Sequence, residues 1–186
     1  PTGTIDMERG LMTDDIFNKI LSEIELHKND IKVVVLYHGG EPLLNKSFFK
    51  YVDEIKRINS SFFIKTVSNG TALTKKVSEK LLLTDIDSIE FSLDGQSSSE
   101  NEHIRIKSKT DIIINNIKYL IDLKKRKNLL KPGIFLSSTQ FIKDRNIVNP
   151  PDDPPVPDWL YNEFKENLKY KTTYAMKWPH MGDSGE

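Results

Sequence analysis

Two spacings of apolar residues alternate along this chain. From Thr13 to residue 27, Ile16, Phe17, Ile20, Leu21 and Ile24 recur at helical spacing. They predict an amphipathic helix over 13 to 27, with Thr13 as its N-cap and Asp14 and Asp15 in the first turn, at the positive end of the helix dipole. The continuous run Val33-Val34-Val35-Leu36 predicts a strand at about 32 to 37, and His38-Gly39-Gly40-Glu41-Pro42 stops it abruptly. A second helix is predicted with Asn45 as cap and Phe48, Phe49, Val52, Ile55 and Ile58 on one face, then a strand from Phe62 to Val67 closed by Ser68-Asn69-Gly70. The alternation goes on. Thr74 opens a short helix through Val77, Leu81 and Leu82, and Ser88 to Leu93 reads as a strand closed by Asp94-Gly95.

Residues 96 to 109 are polar and read as a loop, and a long helix follows from Asp111 to about Lys127 with Ile113, Ile117, Leu120 and Ile121 turned inward. Its Lys124-Lys125-Arg126-Lys127 run reads as a solvated C-terminus facing the dipole. Pro132-Gly133 punctuates before a strand over Ile134 to Ser138. Between Asn149 and Pro157 lie five prolines, which predict a stiff connector and not a packed element. A last helix over Trp159 to Leu168, a last strand over Thr173 to Trp178 and a frayed tail at 182 to 186 complete the expectation. Strand and helix alternate at least four times, which predicts one α/β domain over 1 to 186, a parallel sheet or barrel lined by helices. Parallel strands covered on both faces are the expected reason for the unbroken runs Val33 to Leu36 and Ile134 to Leu136.

Composition narrows the classes. Lys plus Arg and Asp plus Glu both count 27, so there is no basic excess to counter a phosphate backbone, and nucleic acid is not the expected partner. The apolar runs are strand-sized, so no membrane span is predicted and a cytoplasmic location is the default. There is no cysteine, which excludes disulfides and thiolate ligands within these residues. His27, His38, His103 and His180 show no ligand spacing, and no phosphate-loop, nucleophile-elbow or dinucleotide fingerprint occurs.

In a parallel βα architecture ligands meet the C-terminal strand ends, and there the informative residues gather. The four tips are Gly39-Gly40-Glu41-Pro42, Ser68-Asn69-Gly70, Ser92-Leu93-Asp94-Gly95 and Ser138-Thr139-Gln140. Small residues let backbone approach a ligand, while hydroxyl, amide and carboxylate groups suit a polar molecule with amino, carboxyl or ribose groups. Singly, Asn-Gly and Asp-Gly are ordinary turn dipeptides. A glycine pair beside a carboxylate is more than a turn needs.

In combination, Gly-Gly-Glu-Pro-Leu-Leu, Ser-Asn-Gly-Thr and Phe-Ser-Leu-Asp-Gly, with Arg105 ten residues after Gly95, resemble the core of a radical S-adenosylmethionine (SAM) enzyme of the type that often carries an auxiliary-cluster (SPASM) extension. The resemblance runs over about residues 1 to 142. It implies a partial six-stranded (β/α) barrel that binds S-adenosylmethionine, generates a 5'-deoxyadenosyl radical and takes hydrogen from a peptide or small polar substrate. By that likeness Gly39, Gly40 and Glu41 meet the methionine amino group, and Ser68 and Asn69 lie near the sulfonium and ribose. Ser92 and Asp94 meet ribose or carboxylate, and Arg105 pairs with the methionine carboxylate, a contact suited to a guanidinium.

The family holds its 4Fe-4S cluster on three cysteines in a C-x-x-x-C-x-x-C loop after the first strand. This chain has none, so the first strand and cluster loop are expected upstream of Pro1 or lost, with five of six strands present and no redox catalysis by these residues alone. Two other readings stay open. One is a cluster-free barrel remnant that binds a nucleoside-like ligand or a partner protein, and the other a barrel enzyme using Glu41 or Asp94 as acid or base.

Overall fold

The structure is a computed structural model that describes residues 10 to 142 and 154 to 176. In chain order the elements are α1 (Asp14–Leu26), β1 (Val33–Val35), α2 (Phe48–Ile58), β2 (Phe63–Ser68), α3 (Lys75–Leu83), β3 (Ser88–Ser92), α4 (Ser98–Ile104), α5 (Thr110–Arg126), β4 (Gly133–Ile142), α6 (Asp158–Phe164) and β5 (Lys169–Met176). The five strands form one parallel sheet in the order β1-β2-β3-β4-β5. Neighbours in sequence are thus neighbours in space. The connecting helices pack on a single face, the arrangement of a partial βα barrel.

Strand alternation confirms this arrangement. Ile64, Ile89, Phe91, Ile134 and Leu136 enter the hydrophobic core with the helix residues Phe17, Val52, Ile55, Leu81, Ile113, Ile117 and Leu120, while the strand positions between them do not. Phe17 of α1 stacks on Tyr51 of α2 with ring centroids 3.7 Å apart, and the Tyr51 hydroxyl donates to the Asp14 carboxylate at 2.9 Å. Thr13 and Thr74 cap α1 and α3 as their sequence predicts, each hydroxyl accepting from the amide three residues on.

Several expectations change. Neither unbroken run is buried on both faces: Val33 and Val35 are 51% and 46% exposed and Phe135 is only half-buried, because no described element covers the sheet face turned away from the helices. Residues 96 to 109 are not all loop, since α4 occupies Ser98 to Ile104, with Ser97 accepting from the Glu100 amide. Asn45 is not the cap of α2; Ser47 is, and Asn45 acts earlier by accepting from the Ser47 amide at 2.9 Å. The last helix ends at Phe164 in a 3-10 turn over Lys165–Asn167, and β5 begins at Lys169, four residues before expectation. The proline connector packs where it is described: Pro154 and Pro157 are buried, and the Pro154 carbonyl accepts the Thr172 hydroxyl. Trp178, the opening to residue 9, residues 143 to 153 and the tail at 182 to 186 lie outside the described residues.

Candidate functional site at the strand tips

Each of the four tips is fixed by side chains that reach a neighbouring tip. After β1 the chain turns through Gly39, whose φ of +64° lies where glycine is favoured, and Glu41 then caps a 3-10 turn over Pro42–Leu44. The Glu41 carboxylate accepts from the Leu43 amide at 3.1 Å, the Ser68 hydroxyl at 2.8 Å and the Asn69 amide at 2.7 Å. Three of its roughly four acceptor positions are thereby filled, and the β1 and β2 tips are tied together.

Gly70 follows with φ +75°, and a Cβ there would stand 2.7 Å from Ile113 Cγ2. This glycine is required by conformation and by packing. At Gly39 and Gly40 packing makes no such demand, because a Cβ at either meets nothing within 4 Å, and at Gly39 only the left-handed backbone calls for glycine. Gly40 also has no positive φ, so neither strain nor protein packing accounts for it.

The third and fourth tips are joined through Asp94. Its buried carboxylate takes the Arg105 guanidinium at 2.6 Å and the Thr139 amide at 2.9 Å, while its own amide donates to Asn101 at 2.8 Å. Asn101 is fully buried in α4 and also donates to Thr110 at 3.0 Å, so it clamps the loop carrying Arg105. The Gly95 carbonyl accepts from Gln140 at 3.3 Å and from the Trp159 indole at 3.1 Å. Ser92 and Ser137 hydroxyls stand 3.2 Å apart.

All eight residues expected from sequence therefore lie along the C-terminal edge of the sheet or on the loops leaving it, with Gly40 exposed and Asn69 and Ser92 partly so. Their situations differ. Ser68 pairs in register with Phe91 of the core, so it faces the helices and secures Glu41, whereas Ser92 faces the open side. Asn69 spends its carbonyl oxygen on the amide and hydroxyl of Thr71 and keeps its NH2 group. Asp94 and Arg105, assigned separately to the ligand by resemblance, are paired with each other. Acid–base work by Glu41 or Asp94 is disfavoured because protein donors already occupy both carboxylates. The edge is open beside Gly39 and Gly40, and a cavity of about 620 Å³ lies at the other end of the strands, beside Gly133, Ile134 and Lys169.

Asn101 and Trp159 were not foreseen at the site. The Ser97-to-Glu100 spacing was the available signal for α4 and hence for Asn101; for Trp159 there was none.

A sequential parallel sheet, helices on one face and polar loops gathered at the carboxyl strand ends define a partial βα-barrel domain. The chain belongs to the radical SAM superfamily, whose family model matches residues 5–137. Among relatives, it is 28% identical over 127 residues to the tungsten-containing aldehyde ferredoxin oxidoreductase cofactor-modifying protein of Pyrococcus furiosus, covering 68% of this chain and 35% of that one. It is 29% identical over 82 residues to the mycofactocin maturase MftC of Mycolicibacterium smegmatis, covering 44% of this chain and 20% of the relative. The fold resembles Streptococcus suis SuiB bound to S-adenosylmethionine, with a TM-score of 0.61 at 14% identity over 95% of this chain and 36% of that one. SuiB bound to the precursor peptide SuiA gives 0.60 at 13% identity, over 90% and 34%. The chain spans about a third of the first relative's length. Among the described residues no helix is long and apolar enough to cross a membrane.

Proposed function

We propose that this chain is the S-adenosylmethionine-binding core of an enzyme that modifies a peptide or small polar substrate by radical chemistry. The observation that carries the reading is Gly40: a glycine of the family's first tip motif, needed by neither conformation nor packing, facing open space beside an anchored carboxylate. Such a position leaves room for a ligand against bare backbone. In this reading the backbone of Gly39 and Gly40 and the remaining acceptor position of Glu41 hold the methionine ammonium. The Asn69 NH2 group and the Ser92 hydroxyl meet the ribose and its neighbourhood. Ser68, Asp94 and Arg105 position these groups.

The residues do not fit the 4Fe-4S cluster that the family implies, since no thiolate exists among them, and no redox step is assigned to them. A cluster serving this domain takes its ligands from outside these residues. The peptide substrate is supported by the precursor peptide on SuiB and the maturase function of MftC.

Gly40→Val tests the site. Calorimetric titration with S-adenosylmethionine should show at least about tenfold weaker binding, while the melting temperature stays close to that of the parent chain. Unchanged affinity would remove Gly40 from the site and the reading with it. The missing cysteines favour a second reading, a cluster-free module that binds without chemistry; the iron and sulfide content of the natural full-length protein separates the two.

A further inference from the structure

The strand face turned away from the helices has a charge pattern of its own. In-register partners in a parallel sheet point the same way, so the pairs Val35–Lys65, Glu90–Phe135, Phe135–Lys169, Ser92–Ser137 and Ser137–Lys171 bring these side chains onto one surface. None of them belongs to the hydrophobic core, and among the described residues no element packs over them. The surface carries three ammonium groups, Lys65, Lys169 and Lys171, against one carboxylate, Glu90. None of the four takes part in an ion pair among the described residues.

The lysines lean over the sheet. Lys169 Nζ lies 5.9 Å from the Phe135 ring centre, and Lys65 Nζ lies 6.0 Å from that of Tyr37. On β5 the sequence Lys169-Tyr170-Lys171-Thr172-Thr173 alternates, sending Tyr170 and Thr172 toward the helix side and the two lysines and Thr173 toward the open face. Lys171 shares its register row with Ser137 and Ser92, the row that ends at the tip site. An extended peptide has the same two-residue repeat, so acidic side chains at alternate positions match the spacing of Lys169 and Lys171.

We propose that this face binds the substrate, and that the substrate is a peptide segment with acidic residues beside the position to be modified. The acidic side chains meet Lys169 and Lys171 on the β5 side, and Glu90 repels them from the centre of the sheet. Peptide binding next to the tips rests on the function proposed above; the acidic character rests on the charges alone.

The test is fluorescence anisotropy on the intact chain with labelled peptides that alternate glycine with glutamate, lysine or serine, together with an oligothymidylate of matching charge. The glutamate peptide should bind, more tightly at low salt, and the lysine and serine peptides should not. Lys169→Glu/Lys171→Glu should weaken glutamate-peptide binding roughly tenfold. Lys127→Glu, an exposed charge at the end of α5, should leave it unchanged, and all three proteins should bind S-adenosylmethionine alike. Equal binding of glutamate and lysine peptides, equal binding of the oligothymidylate, or equal loss in Lys127→Glu would each overturn the proposal. Failure of S-adenosylmethionine to bind the parent chain would instead refute the reading of the tips, and the peptide result would still decide the charge argument.

Discussion

Asp94→Asn separates a carboxylate that touches ligand from one that holds the wall of the site. In the structure Asp94 is engaged by protein groups: its side chain is 8% exposed and bonds the Arg105 guanidinium, itself 24% exposed, at 2.6 Å. Asparagine keeps an oxygen to accept the Thr139 amide, so the loss is the charge-assisted bond to Arg105. Hydrogen bonds to charged groups are worth about 1.5–3 kcal/mol, and because Arg105 is only partly buried water restores some of that, leaving an expected cost of about 2 kcal/mol. For a domain of this size the melting temperature should fall by roughly 4–8 °C. Urea unfolding of wild type, Asp94→Asn, Arg105→Gln and the double variant gives the cycle. The two single losses should exceed the double loss by roughly 1–2 kcal/mol, the signature of a direct pair. Should Asp94→Asn unfold within about 0.5 kcal/mol of wild type while losing S-adenosylmethionine affinity, the carboxylate is a ligand and the pairing argument fails.

Gly70→Ala combines a left-handed backbone with a Cβ placed 2.7 Å from Ile113 Cγ2, so it should cost about 3 kcal/mol in denaturant unfolding; a loss below about 1 kcal/mol would show that the α5 contact yields freely. Burial pushes the Asp87 carboxyl up, but hydrogen bonds from Lys131, Lys56 and the Ile64 amide outweigh it and hold its pKa below the ordinary carboxylate value. A depressed native pKa means the stabilisation is complete above the unfolded value of about 3.9 and is lost as pH falls through the native one. Asp87→Asn should therefore flatten the acid limb of stability against pH, measured by urea midpoints, and an unchanged slope would remove Asp87 as its source. Asn101→Ala removes the acceptor of the Asp94 amide and the partner of Thr110, and should destabilise by about 2 kcal/mol while weakening S-adenosylmethionine binding in titration.

Which residues gather at the strand tips was readable from the chain; which of them bond one another there was not. Glycine pairs, Asn-Gly and Asp-Gly mark strand ends because they mark turns, and the βα alternation puts all strand ends on one edge. Residue type does not reveal whether a donor or acceptor is already engaged. Asp94 and Arg105 look like two ligand contacts when read along the chain, yet α4 folds between them and brings them together. α4 itself has little hydrophobic periodicity, being held by the Ser97 cap and the buried Asn101 amide, so a reading by apolar spacing passes over it. β1 misleads for another reason. A run of valines is the same whether a strand is covered on one face or two, and only the packing shows that Val33 and Val35 stand, with Phe63 of β2, on a face no described element covers.

The sheet divides its labour between its two ends, and that division makes the two kinds of prediction separable. At the amino ends of the strands, Asp87 takes Lys56 at 2.8 Å, Lys131 at 2.5 Å and the Ile64 amide at 2.8 Å, joining α2, β2 and the entries to β3 and β4. Lys56 and Asp87 are 8% and 7% exposed, so removing one leaves the other charge buried and poorly paired. At the carboxyl ends the polar groups hold loops and not element packing, because the partly buried Glu41 and the buried Asp94 and Gln140 each bond backbone of a neighbouring tip. A substitution at Asp87 should therefore lower stability and leave the affinity of folded chain for S-adenosylmethionine intact, whereas one at Asp94 should lower both. If Asp87→Asn weakened binding in the folded protein as much as Asp94→Asn does, the two ends would be coupled through the sheet, and the tip residues would not by themselves define the site.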